Sequence, residues 1–112
     1  DWIVSLFTKK VIEDAMETSW DNAPLPGQPY GDIMHSPTLR QFLGPDGETP
    51  FSVQLNGEVH LVFSLFVDWF NPHGNKKAGK SHSIGAIYLV CLNLPPHLRF
   101  RPEFVYLAGV IP

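Results

Sequence analysis

Asp68 is the residue whose surroundings best suit it for chemistry, because it directly follows the apolar run Leu61-Val62-Phe63-Ser64-Leu65-Phe66-Val67 and precedes Trp69. A carboxylate in such a place is costly unless it is solvated, hydrogen-bonded or paired with a cation. Two readings stand. One is an aspartate at a strand end that bonds the amides of the following turn. The other is a ligand for a hard cation such as magnesium, which takes anionic oxygens from rigid elements. Phe70-Asn71-Pro72-His73-Gly74-Asn75 then carries turn chemistry, since Asn71 can bond its own backbone and Pro72 fixes its dihedral. Lys76, Lys77 and Lys80 follow, with His82 close behind. They read either as a solvated hairpin tip or as contacts to the phosphates of DNA beside a metal-binding carboxylate. Trp69 and Phe70 can stack on an unpaired base, although aromatics next to an apolar strand more often belong to a core.

The remaining chemical side chains are less promising. His35, His60, His73, His82 and His97 are dispersed and form no zinc pattern with the single cysteine. Cys91 lies in an apolar run and reads as a small buried hydrophobe. Ser64 and Ser83 lack the glycine-flanked elbow of activated serines. Asp32, between Gly31 and Ile33, reads as a loop or cap residue.

The elements that must position these groups follow from periodicity. Ile3, Phe7, Val11 and Ala15 recur every four positions, which predicts a helix from Trp2 to Met16 with those residues on its buried face. Ala23-Pro24-Leu25-Pro26-Gly27-Gln28-Pro29-Tyr30-Gly31 is too rich in proline and glycine for a regular element and reads as a connector. Ser36-Pro37 predicts a short helix ended by Gly44-Pro45. Phe51, Val53 and Leu55 alternate ahead of Asn56-Gly57, which predicts a hairpin whose return strand begins at Glu58. Residues 61–67, 84–92 and 104–111 are apolar on both faces of the pleat, as in strands covered on both sides. Neither connector between them shows a convincing crossover helix, so sequential antiparallel pairing is the expected topology.

With 112 residues the chain has room for one domain. Hydrophobic residues make up 44% and charged residues 17%, against roughly a quarter charged in ordinary domains. That balance, a start at Asp1 without methionine and a stop at Pro112 after an apolar run lead to the expectation of a fragment whose sheet is covered by further protein. The net charge of −3 supplies no global field to attract nucleic acid, so any DNA contact is local. One cysteine excludes an intrachain disulfide. No apolar stretch approaches the roughly 20 residues needed to span a bilayer, and no signal-peptide pattern is present, so the nucleus or the cytoplasm is expected and no membrane.

Three segments together carry a resemblance: Leu65-Phe66-Val67-Asp68-Trp69-Phe70-Asn71-Pro72-His73-Gly74-Asn75, Val90-Cys91-Leu92-Asn93-Leu94-Pro95-Pro96-His97-Leu98-Arg99, and Leu107-Ala108-Gly109-Val110-Ile111-Pro112. The combination resembles the transposases of CACTA-type (En/Spm-like) elements, closest to the fungal Plavaka and Kyakuja-Dileera-Zisupton group. The likeness covers roughly residues 30–112, with His73 standing where that family usually has phenylalanine. It implies an α/β fold, the N-terminal part of an RNase H-like catalytic domain: three core antiparallel strands preceded by a hairpin and one or two short helices, with residues 1–29 as a helix and connector ahead of it. It further implies nuclear DNA cleavage and strand transfer by two magnesium or manganese ions, with Asp68 as the first catalytic and metal-binding carboxylate. The other acidic partners would lie beyond Pro112, in a missing C-terminal half or reached through a homo-oligomer, so the chain alone is expected to be inactive. Two further readings remain open: a remnant that binds DNA or protein through Lys76, Lys77 and Lys80 without chemistry, and a degenerate product with no selected role.

Overall fold

The computed structural model describes residues 1–21, 24–53, 57–72 and 83–112. It is a mixed α/β structure built on a three-stranded antiparallel sheet. The N-terminal segment forms two helices, α1 (Trp2–Phe7) and α2 (Lys10–Glu17), instead of the single helix that its periodicity predicts. Asp1 caps α1 by accepting the Ile3 amide. The break falls at Thr8 and Lys9. The Thr8 hydroxyl bonds back to the Ser5 carbonyl, Ser5 does the same to Trp2, and Lys9 turns extended. This break changes the buried face. Leu6, Ile12 and Met16 enter the core, whereas Ile3 and Val11 from the expected stripe are exposed.

Pro24 onward makes an ordered turn, with the Gln28 amide donating to the Leu25 carbonyl and Gly27 at a φ of 84°. A 3-10 turn follows at Ile33–His35, capped by Asp32, and then α3 (Pro37–Arg40), whose first turn is capped by Ser36 as expected. The turn of the hairpin expected at Asn56-Gly57 lies largely outside the described residues. Residues 51–53 are not a strand, and Leu55 and Asn56 lie outside the described residues. One loop earlier, Leu43 bridges Pro50 across Asp46-Gly47. Asp46 holds that turn by accepting the amides of Glu48 and Thr49, and Gly47 supplies the positive φ of 71°.

The sheet consists of β1 (Phe63–Phe70), β2 (Ile84–Cys91) and β3 (Val105–Ile111) in the order β1-β2-β3, which is the sequential meander expected. Between β2 and β3 lie α4 (Pro96–Arg99) and a 3-10 turn at Pro102–Phe104. β1 and β2 pair without a break from Phe63 opposite Cys91 to Phe70 opposite Ile84. β2 and β3 shift register between Ile87 and Tyr88. Among the described residues, β1 is an edge strand, and its residues from Leu65 to Phe70 are exposed. Burial is concentrated at the base of the sheet, although Gly85 and Ala86 of β2 are also buried at its far end. At the base Cys91 joins Leu6, Ile12, Met16, Leu94 and Phe104, and Trp2 and Phe63 pack against them. The radius of gyration is 18.0 Å, against about 13 Å for a compact chain of this length, because the far end of the sheet projects from the core.

The base is joined by two polar side chains in the connector after β2. Asn93 accepts the Val62 amide at 2.8 Å and donates to the Ser19 hydroxyl at 2.9 Å and the His60 carbonyl at 3.1 Å. Arg99, also buried, donates to the carbonyls of Leu92 and Leu94 and pairs with the Asp32 carboxylate at 2.7 Å. Replacing Arg99 with leucine would leave Asp32 without its counterion and two carbonyls without a donor. Urea unfolding of Arg99→Leu is expected to show a loss of about 3 kcal/mol, whereas Lys10→Ala, which removes only exposed pairs to Glu13 and Asp14, should lie within about 0.5 kcal/mol of the parent.

Candidate functional site

Asp68 sits inside β1, two residues before its end, because Trp69 and Phe70 continue the ladder against Gly85 and Ile84. Its direct cross-strand neighbour is Ala86, which in turn faces Val110 of β3. Strand alternation puts Ser64, Phe66, Asp68 and Phe70 on one face of β1 and Phe63, Leu65, Val67 and Trp69 on the other. The carboxylate is thus a solvated charge in an apolar row. Among the described residues it makes no hydrogen bond or ion pair, and the turn that follows β1 lies outside the described residues from residue 73 onward.

The aromatic side chains around it are ordered by cross-strand contacts but remain outside the core. Phe66 stacks on Tyr88 with ring centroids 5.1 Å apart. The Trp69 indole covers Gly85 so closely that a β-carbon at Gly85 would meet the ring at 3.0 Å. Trp69 and Phe70 are both exposed, so the commoner fate of such aromatics is not theirs here. Lys76, Lys77, Lys80, His73 and His82 lie outside the described residues.

A two-metal centre requires several carboxylates held within reach of ions about 4 Å apart. Asp68 would be one such carboxylate, and among the described residues no group of three histidine, cysteine or acidic side chains gathers to hold a metal. The described residues therefore do not fit a complete metal centre. Cys91 is fully buried, and burial pushes its thiol above the ordinary value, in keeping with a core residue.

Asp32 is a cap, as its sequence position indicates, and also the counterion of Arg99, which that position does not reveal. Burial pushes its carboxyl up, but the bond from Arg99, the Met34 amide and the Arg99 charge hold it below the ordinary value. Its contribution to stability is present above the unfolded value and fades as pH falls through the lowered one. Asp32, His35, Ser19 and Asn93 line a cleft of about 280 Å³ beside Pro95 and Pro96, and Asp68 is not among its lining residues. Ser19, Asn93 and Asp32 in this lining are committed to the Asn93 and Arg99 contacts, whereas His35 Nδ1 is buried without a hydrogen-bond partner among the described residues.

His60 has a distinct arrangement. Its ring stacks on Phe51, with centroids 4.6 Å apart and planes at 15°. Nδ1 lies 2.7 Å from the Phe51 carbonyl oxygen and Nε2 lies 3.1 Å from a Glu58 carboxylate oxygen. Both partners are acceptors, so only the imidazolium donates to both at once.

Comparison of the chain with protein-family models, curated proteins and solved structures gives no match. No helix among the described residues is long and apolar enough to cross a membrane. The class defined by the fold is therefore a mixed α/β unit with a three-stranded antiparallel meander.

The Phe51 carbonyl, followed by Glu58, raises the His60 ring above its ordinary value. The linked stability is fully present below the unfolded value of about 6.5 and is lost as pH rises through the raised folded value. Ring-proton NMR is expected to show His60 titrating above the ordinary histidine value. Glu58→Gln should lower its midpoint, and an unchanged midpoint would remove Glu58 as a partner.

Proposed function

We propose that this chain is the front part of an RNase H-like catalytic domain of a CACTA-type DNA transposase, with Asp68 as the first metal-binding carboxylate. The observation that carries the reading is a solvated carboxylate, unpaired among the described residues, on the first strand of an antiparallel three-stranded meander. A strand holds a carboxylate in a fixed position at little conformational cost, which is what metal-assisted phosphoryl transfer requires of its ligands. The resembling segment around Asn93 and Arg99 is also consistent with this reading, since both residues lock the connector that leads from β2 to β3.

In the proposed role, Asp68 holds one side of a divalent ion against DNA phosphate, and Lys76, Lys77 and Lys80 contact the backbone. Magnesium or manganese, when bound in a complete site, activates the attacking oxygen and stabilises the leaving one. The chain's own contribution is one fixed anionic ligand. Further carboxylates must come from other protein, so the chain alone is proposed to lack turnover, and the nucleus is the proposed site of action of the whole enzyme. A remnant that only binds DNA through the three lysines is the second reading.

Manganese titrated into the chain is expected to broaden the amide signals of residues 66–70 ahead of the rest, and Asp68→Asn should abolish that broadening. Broadening at these residues that survives Asp68→Asn, or its absence in the parent chain, would count against Asp68 as a ligand. In a nicking assay with magnesium or manganese the chain is expected to leave supercoiled DNA intact. Cleavage abolished by Asp68→Ala would overturn the assignment of the remaining ligands to other protein.

A further inference from the structure

The outer edge of β1 is long, regular and uncovered among the described residues. It pairs with β2 through eight consecutive residues without a register shift, and no described strand lies on its other side. Soluble proteins usually blunt such an edge with lysine, proline, a bulge or a short strand. β1 has none of these, and Asp68 is its only charge. β3, the opposite edge, differs because its ladder with β2 shifts register between Ile87 and Tyr88. A shift of this kind twists and interrupts an edge, which makes it a poor template for another strand.

The hydrogen-bonding phase of the free edge is set at the base of the sheet. The Leu92 amide donates to the Val62 carbonyl at 2.8 Å. By the antiparallel alternation, positions 64, 66, 68 and 70 turn their backbone groups toward β2, while 63, 65, 67 and 69 turn theirs outward. The outward positions are Phe63, Leu65, Val67 and Trp69.

We propose that this edge is a self-association surface. Two copies of the chain pair β1 with β1, antiparallel about a two-fold axis at Phe66, and the Asp68 carboxylate of each copy accepts a hydrogen bond from the partner's Ser64 hydroxyl. This register matches outward-facing positions with outward-facing positions: Leu65 lies opposite the partner's Val67, and Phe63 opposite the partner's Trp69. It also keeps the two carboxylates apart, whereas an axis at Asp68 would oppose like charges directly.

Leu65 is 63% exposed, Phe66 39%, Val67 41%, Trp69 56% and Phe70 47%. With 150–250 Å² for a whole large aromatic side chain, these five present on the order of 500 Å² per copy. Edge pairing covers only part of this surface, because the five side chains stand on both faces of the strand, so the pair buries less than about 1,000 Å² and lies in the range of weak, reversible contacts. The contact needs no residue of the transposase reading other than Asp68 as a hydrogen-bond acceptor, and it does not depend on that reading.

Sedimentation equilibrium under reducing conditions is expected to show a reversible monomer–dimer equilibrium for the parent chain. Val67→Lys should weaken dimerisation at least about tenfold by placing a charge on the paired edge, whereas Leu107→Lys on β3 should leave it unchanged. The register is tested by oxidation. A mixture of Ser64→Cys and Asp68→Cys chains should form a disulfide-linked heterodimer faster than either variant links to itself, and Phe66→Cys should link to its own copy. A monomer up to about 100 µM, a concentration well above a micromolar dissociation constant, would overturn the proposal and leave the edge to another segment or partner. So would a dimer weakened by Leu107→Lys or cross-linked in another register. Manganese broadening at Asp68 is read separately, so loss of the dimer and loss of the metal-ligand reading are distinguishable.

Discussion

The structure depends on keeping two polar side chains, Asn93 and Arg99, satisfied away from water. A buried guanidinium without partners would cost several kcal/mol, and a buried amide less but still a large share of a small domain's stability. Each is satisfied only when distant parts of the chain are in place. Asn93 needs the end of α2 at Ser19 and the approach to β1 at His60 and Val62. Arg99 needs the Asp32 turn and the carbonyls of its own connector. These requirements bring the helices, the Asp32 turn and the sheet together at one point, and the apolar core closes around that point. The arrangement is cooperative because losing any one neighbour leaves a polar group unpaired in the others.

From this base the sheet runs outward into different surroundings. At its root, Val90, Cys91 and Leu94 are fully buried. Towards its far end the strands support one another mainly through ladder hydrogen bonds and cross-strand contacts such as Phe66 on Tyr88 and Trp69 over Gly85. The same three strands therefore serve as a core element at one end and as a presenting surface at the other. Asp68 belongs to the presenting end.

The sheet was legible in the sequence because three apolar runs separated by polar or proline-rich connectors leave sequential pairing as the simplest topology. The Ser36 cap and the role of Asp32 as a cap were equally local signals. The buried face of the N-terminal segment was not, because a four-residue spacing assumes an unbroken helix, and the Ser5 and Thr8 hydroxyl bonds with extended Lys9 reset the phase before Ile12. The Arg99–Asp32 pair spans 67 residues, a separation that no periodicity encodes. Its one local sign was an arginine set between Leu98 and Phe100 just after two prolines. For the candidate site, the sequence located Asp68 on an apolar strand but ended that strand too early, since cross-strand pairing carries Trp69 and Phe70 into the ladder.

The complete burial of Cys91 gives the protein an internal clock. Its sulfur lies at the root of the sheet beside Leu6 and Met16, and its thiol resists ionisation there. An alkylating reagent reaches it only when the core around it, built from the two N-terminal helices and the connector residues Leu94 and Phe104, opens. Fraying at the far end of β1, however frequent, leaves it untouched. The rate at which this one thiol is modified therefore counts openings of the core alone, separating the lifetime of the folded base from the motion of the surface it carries.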